Sequence, residues 1–318
     1  MRYFYLFLAI IFSLHVIAQT DSTHISDDRL LRINYENDYF SQTDMYFTQG
    51  VRIELIAPFI YKSIVSKLLF SGSKKNLHFY GLAIQRDGFT PKSIRISDIY
   101  YGERPYAGTM FLSHFHINLN TLNHLKTTMQ LDIGMIGSAV GGNEEQTAIH
   151  RLIGGVKPQG WHNQIANDII LNYKAQYEKG LIKNKYLEFI ALGEGRLGTL
   201  YTDVSMGAMI RTGFMNSYFM NIGITKSKSL QKFQCYVFAK GNVKAVAYNG
   251  TMQGGVFNRH SVYTISDGDV ERIVGLGFAG IVIAYKQFSM EYTKARISPE
   301  FNGGLKHGWG HCNISICF

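Results

Sequence analysis

Leu31-Arg32-Ile33-Asn34-Tyr35-Glu36-Asn37-Asp38, followed after a polar turn by Gly50-Val51-Arg52-Ile53-Glu54-Leu55, decides the fold. In the first stretch Leu31, Ile33 and Tyr35 face one way and Arg32, Asn34 and Glu36 the other. In the second, Val51, Ile53 and Leu55 oppose Arg52 and Glu54. A period of two is the signature of a strand with two unlike faces. The polar face carries full charges rather than Ser or Thr. A soluble sandwich hides its apolar face in a core, whereas a membrane barrel turns it to lipid and keeps a polar lumen.

The same alternation runs through the rest of the chain. In Thr109–Leu119, Phe111, Phe115, Ile117 and Leu119 oppose His114, His116 and Asn118, and Lys126–Ile133, Ile169–Tyr177 and Lys232–Lys240 repeat the pattern. Twelve strands are expected, near 31–39, 46–57, 77–86, 106–119, 124–136, 167–179, 184–196, 201–211, 232–247, 269–284, 287–296 and 308–318. Many are long enough for a tilted membrane crossing, which takes about 9–11 residues. The chain ends on an aromatic residue, Phe318, as outer-membrane barrels commonly do. The fold class expected is all-β: a transmembrane antiparallel barrel of about 12 strands, with a short helix in an extracellular loop. No repeat or linker divides residues 19–318, so one barrel domain is expected.

Composition agrees. Tyr (20), Phe (21) and Gly (32) are abundant and Pro (5) is scarce, which suits long strands joined by tight turns. The formal charge of +9 calls for an anionic partner or surface. Lys and Arg form no cluster dense enough for nucleic acid, so a membrane rich in phosphorylated glycolipid fits better. Arg2, the mostly apolar run Tyr3–Ile17, and the small Val16 and Ala18 make residues 1–18 a secretory signal. Three cysteines, Cys235, Cys312 and Cys317, give no disulfide framework.

A periplasmic N-terminus puts the connections near 40–45, 87–105, 137–166, 197–200, 248–268 and 297–307 outside. The long ones at 87–105, 137–166 and 248–268 all fall there, as barrel rules expect. Two inward connections, 58–76 and 212–231, are longer than those rules explain.

Three polar clusters meet on that outer rim. The first is Glu36-Asn37-Asp38-Tyr39-Phe40, Thr43-Asp44 and Tyr46-Phe47-Thr48-Gln49-Gly50. Asn can donate to an oxyanion and Asp can bind a cation, although these residue types also favour plain turns. Parity carries Asn37 to the lipid side with Leu31, Ile33 and Tyr35, unless a bulge reverses it. The second is Thr90-Pro91-Lys92, Arg95 and Arg104-Pro105-Tyr106-Ala107-Gly108, where basic groups could hold a phosphate or oxyanion, or form a solvated loop. The third is Gly141-Gly142-Asn143-Glu144-Glu145-Gln146-Thr147-Ala148-Ile149-His150. Here Asn143 can cap a helix with Gln146 at the capping-box position, and Gly154-Gly155 can end it. Gln146 and His150, four apart, share one face, and His150 suits a general base at neutral pH. Trp161 suits a membrane interface. His150 and His162 match no metal-ligand spacing, and no Gly-x-Ser-x-Gly elbow is present.

Glu36-Asn37-Asp38, Tyr46-Phe47-Thr48-Gln49-Gly50, Arg104-Pro105-Tyr106-Ala107-Gly108, Ile136-Gly137 with Gly141-Gly142-Asn143-Glu144-Glu145-Gln146, His150-Arg151 and Gly160-Trp161-His162-Asn163-Gln164 resemble the lipid A 3'-O-deacylases of Gram-negative outer membranes over nearly the whole chain. The resemblance implies a twelve-stranded outer-membrane barrel; a monomer is expected, and the topology turns the site to the cell exterior. The resemblance also implies ester hydrolysis of the 3'-linked acyloxyacyl chain of lipid A, with a divalent cation, usually calcium. On the matching positions, His150 would activate water. Asn37, Asp38, Thr48 and Gln146 would complete the active site, and Asp38 would bind the cation. The family's loop lysine has no single counterpart, and Lys92 and Arg95 are the substrate-binding candidates. The competing readings are an outer-membrane phospholipase, a non-catalytic pore or structural barrel, and a soluble lipocalin-like binder.

Overall fold

The computed structural model describes residues 23–41, 45–224 and 230–318. The signal expected over 1–18 and the Thr43-Asp44 pair lie outside them. Twelve long strands follow in chain order: β1 Leu30–Asn37, β2 Tyr46–Ile56, β3 Leu77–Thr90, β4 Ala107–Asn120, β5 Leu125–Ile136, β6 Asp168–Lys183, β7 Leu187–Gly198, β8 Tyr201–Phe214, β9 Phe233–Asn249, β10 Ile273–Tyr285, β11 Phe288–Ile297 and β12 His307–Cys317. Each pairs antiparallel with the next. β12 returns to β1, with Gly310 opposite Asn37 and Cys317 opposite Leu30, so the sheet closes. β3 runs to Thr90 rather than stopping near 86, because Asp87–Phe89 pair on one side with β2 and on the other with Ala107–Thr109 of β4.

The faces divide as the alternation requires. Ile33, Ile53, Leu82, Ile84, Leu112, Ile133 and Val204 stand exposed on the outside. Inside, charges pair across strands: Arg32 with Glu54 at 2.7 Å, Arg211 with Glu188 at 2.7 Å, and Arg196 with Asp203. Strand β4 breaks the rule over half its length. Phe111 and Phe115 turn into the lumen, where Phe115 lies 5.7 Å from the Arg52 guanidinium, while His114, His116 and Asn118 point outward.

The reason is the long connection 57–76. It makes two 3-10 turns, Pro58–Lys62 and Ile64–Leu68, and folds back over the outside of β3 and β4. There the wall's polar side chains meet it. Ser66 Oγ lies 2.9 Å from His114 Nε2, the Phe70 carbonyl 3.2 Å from His116 Nδ1, and the Ser73 carbonyl 3.1 Å from His78 Nε2. Asn118 donates to the Ser71 carbonyl. These contacts give the wall's outward polar groups the partners that lipid would not supply.

The second long connection does the opposite. Residues 215–224 turn into the lumen, where Phe219, Ile222 and Ile224 pack among Phe79, Phe115, Ile190 and Met209. The Tyr218 hydroxyl donates to Glu178 at 2.7 Å, and Arg32 donates to the Ile222 carbonyl at 3.1 Å. At the other end Arg104, 1% exposed, spans the mouth. It donates to Glu300 at 2.7 Å and to Thr251 at 2.6 Å, above the Phe89 ring. Arg104 therefore ties the rim together.

Arg211 and Glu188 are a test of this interior, because both side chains are almost wholly buried. Arg211→Ala leaves Glu188 without its counter-charge and should cost about 3–5 kcal/mol, read as a lowered urea midpoint in detergent micelles, whereas Lys67→Ala on the exposed surface should not shift it.

Candidate active site

The site begins with a bulge. Phe47 pairs with Phe89 and Gln49 with Gly88, which leaves Thr48 unpaired between them. The extra residue changes parity. Phe47 turns inward onto Phe89 and Trp309, at ring distances of 5.5 and 5.1 Å, while Thr48 and Gln49 both reach the outer side. Bulges beside active sites re-aim side chains in this way. No bulge intervenes on β1, so Asn37 stays on the outer face with Tyr35, whose hydroxyl accepts from its amide at 3.2 Å. Asn37 Oδ1 accepts from the Tyr39 amide at 2.8 Å, and Asp38 Oδ2 from the Met45 amide at 2.7 Å, so both side chains shape the end of the hairpin.

The opposite wall is a helix, α1 Gly142–Ile153. It starts differently from the sequence expectation. Gly141, in the left-handed region at φ 68°, occupies the N-cap, and Asn143 lies inside the first turn without capping it. Packing explains the shift: a Cβ on Gly142 would stand 2.6 Å from the Trp161 ring, so glycine lets the helix begin hard against that indole. Trp161 is accordingly buried, not placed at a lipid interface, and packs at a tilt against Tyr106, with ring centroids 5.0 Å apart. Its Nε1 donates to Gln146 Oε1 at 2.7 Å. That bond fixes the Gln146 amide and leaves its Nε2, buried beside the cavity, with no partner among the described residues. The helix ends at Gly154, φ 70°, and the Gly155 amide donates to the His150 carbonyl at 2.7 Å.

The same turn sets the histidine. His150 Nδ1 lies 2.6 Å from the Val156 carbonyl, an acceptor only, so Nδ1 carries the proton and Nε2 is the basic nitrogen. A Cβ on Gly155 would stand 3.0 Å from Nδ1, which makes glycine part of the ring's seating. His162 is exposed on a separate turn and takes no part.

Between the hairpin and the helix lies a cavity of about 370 Å³. Asn37, Asp38, Thr48, Lys92, Arg95, Gln146 and His150 all line it, with Ile94, Ile149 and Val156 supplying apolar surface. A second cavity, about 280 Å³, occupies the lumen beneath Arg104 and is walled by strand charges such as Asp132, Lys174 and Arg196. The outer cavity lies outside the wall, between the hairpin and α1. Asp38 and Thr48 offer it carboxylate and hydroxyl oxygens, the hard donors that calcium takes. Among the described residues no group of three or more His, Cys, Asp or Glu gathers around a metal position. With one carboxylate, the set suits a weakly held cation.

A family model described as "Outer membrane protein LpxR" matches residues 5–318. The chain belongs to the LpxR family of outer membrane proteins. Among solved structures it is similar to LpxR from Salmonella typhimurium, with a TM-score of 0.73 at 19% identity, over 91% of this chain and 100% of that one. The β domain of the Bordetella autotransporter BrkA is a more remote likeness, with a TM-score of 0.46 at 9% identity, over 91% of this chain and 98% of that one. No curated protein sequence matches. The LpxR match supports the closed twelve-stranded barrel and the outer-membrane location.

One residue that positions α1 is absent from the sequence candidates. Arg86, on β3, has the outward parity of Leu82 and Ile84. Its Nε lies 2.9 Å from Glu145, and its Nη2 donates to the Gly141 carbonyl at 2.6 Å, which ties the start of α1 to the barrel wall. Partial burial pushes the Glu145 carboxyl above its usual range, against the pull of Arg86. A charged residue on a lipid-facing parity was the signal available. Glu36, beside Asn37 in the sequence, faces the lumen instead and accepts from Trp309 at 2.7 Å.

Gly142→Ala should force α1 away from Trp161, at a cost of about 1–3 kcal/mol for overpacking. Hydrogen exchange should show faster opening of residues 142–155 with the barrel strands unchanged, and equal protection in both proteins would count against this packing.

Proposed function

We propose that this protein is an outer-leaflet ester hydrolase that removes the 3'-linked acyloxyacyl chain of lipid A, with its active site facing the cell exterior. The observation that carries the reading is the position of the outer cavity. His150, Gln146, Asn37, Asp38 and Thr48 converge on the lipid side of the wall, at the edge of the apolar belt, and not in the lumen. A membrane-embedded glycolipid meets that face by lateral diffusion. Lys92 and Arg95 stand on the same cavity and suit its phosphates. The net charge of +9 favours the same anionic surface.

The chemistry follows from the side chains. Val156 holds His150 with Nε2 as the base, and that nitrogen takes a proton from water as the water attacks the ester carbonyl. The proton then passes to the leaving sugar oxygen. Gln146 Nε2, buried and fixed by Trp161, is a preorganised donor for the oxyanion. Asn37 supplies a second amide. Asp38 and Thr48 would hold calcium, which when bound adds positive charge beside the oxyanion. Ile94, Ile149 and Val156 give an acyl chain apolar surface.

Mass spectrometry of lipid A from cells expressing the protein tests this directly. Wild type should lose the 3'-linked acyl group, and His150→Ala should be slower by at least about 100-fold. Unchanged lipid A with wild-type protein folded in the outer membrane and calcium present would sink the proposal; acyl release from phospholipid alone would replace it with a phospholipase. Gln146→Glu keeps an acceptor for Trp161 but loses the NH₂, and should lower kcat by about 10²–10³ with KM little changed. Chelation should silence the enzyme, and calcium should restore it with a midpoint on the order of 10⁻⁴–10⁻³ M.

A further inference from the structure

The 57–76 connection shows the barrel wall one face and leaves the other uncovered. Ser66, Phe70, Ser71 and Ser73 are used by the wall histidines and Asn118. On the far side stand Phe59, Ile64, Leu68 and Phe70, with Ile64 77% and Leu68 66% exposed, while Tyr61 packs edge-on against Tyr80 of the wall at 5.1 Å. Lys62 and Lys67 are exposed among them. The segment's own turns are satisfied internally, with the Ser63, Ser66 and Leu69 amides donating to the Ile60, Ser63 and Ser66 carbonyls. It is thus an irregular segment able to face hydrocarbon without unpaired donors at those turns.

Two observations say what covers it. First, the apolar face continues the lipid belt. On the two strands beneath, the outward Leu82, Ile84, Met110 and Leu112 are exposed, and the belt gives way to His78, Tyr80, His114 and His116 where the segment lies over the wall. Second, lysines amid exposed apolar residues are the pattern of a segment lying in a bilayer interface, with stems along the chains and ammonium groups at phosphate level.

We propose that residues 58–70 form an interfacial foot embedded in the leaflet opposite the candidate site. Phe59, Ile64, Leu68 and Phe70 enter the upper acyl region, and Lys62 and Lys67 contact phospholipid phosphates. That this leaflet is the phospholipid one rests on the orientation proposed above. The foot anchors one side of the barrel, under β3 and β4. Those strands carry Arg86 and border the second wall of the outer cavity, so the foot sets the depth at which that cavity meets its leaflet.

The test uses the full-length protein in phospholipid vesicles, where both leaflets are phospholipid and the result does not depend on enzymatic activity. The two native tryptophans, Trp161 and Trp309, are buried at the opposite rim, so an added tryptophan is read by difference. Ile64→Trp and Leu68→Trp should each lose about half or more of the added fluorescence to a spin label near the head of the acyl chain, matching a burial depth of about 5–10 Å. A label at the chain end should quench them less. Leu122→Trp, in the hairpin turn 121–124 at the same end and 89% exposed, should be quenched little by either. Phe59→Trp serves if a substitution at 64 or 68 prevents folding. Equal, weak quenching at 64, 68 and 122 overturns the foot and leaves the face in water. Blue-shifted emission without lipid quenching overturns it in favour of a protein partner or a second copy. Failure of the lipid A assay with strong quenching would remove the deacylase reading and leave the foot standing.

Discussion

A sheet that crosses hydrocarbon cannot keep an edge, because every open amide and carbonyl would face a medium with no partner to offer. The pairing of the last strand with the first, Cys317 opposite Leu30 through Gly310 opposite Asn37, is therefore the contact on which the rest depends. It fixes the register of β1, which fixes which of its side chains meet lipid. Asn37 reaches the outer face because Ile33 and Tyr35 do. The last barrel contact and the first site residue are one pair, since Asn37 is the partner of Gly310.

Register alone would put Thr48 in the lumen. The bulge at that residue is what separates the hairpin's two duties. Below it, β2 sends Arg52 and Glu54 inward to the charge network; above it, Thr48 and Gln49 face out while Phe47 fills the mouth of the barrel. The single extra residue lets one strand serve a polar lumen and an outer cavity without a break in closure. Arg104 completes the separation from inside by binding Glu300 and Thr251 across the rim, so the outer cavity and the lumen stay distinct compartments.

Much of this was legible in the sequence because the period of two is a direct record of environment. The twelve strands and the charged lumen follow from it, and so does the outward parity of Asn37. What it did not reveal were places where a third partner intervenes. The capping pattern at Asn143 pointed to a conventional helix start, yet Trp161, far along the chain, admits the helix only against a glycine at 142. The extension of β3 to Thr90 depends on neighbours on both sides, which alternation within one strand does not record. The roles of the long connections 57–76 and 215–224 were invisible for the same reason. Length showed that they were unusual, and only tertiary contacts show that one lies on the wall and the other in the lumen.

The exceptions to lipid-facing polarity then acquire a common meaning. Arg86 interrupts the outward run of Leu82 and Ile84, and the start of α1 covers it. His114, His116 and Asn118 interrupt β4, and the 57–76 segment covers them. A charged or strongly polar residue left toward hydrocarbon is costly, so each such residue marks where the chain itself, not lipid, lies against the barrel. The two covers sit at opposite ends of the β3–β4 region. One forms a wall of the outer cavity; the other presents the apolar, lysine-bearing face. The polar interruptions on these strands are therefore part of the fold's construction: they hold α1 at one end of the wall and the 57–76 segment at the other.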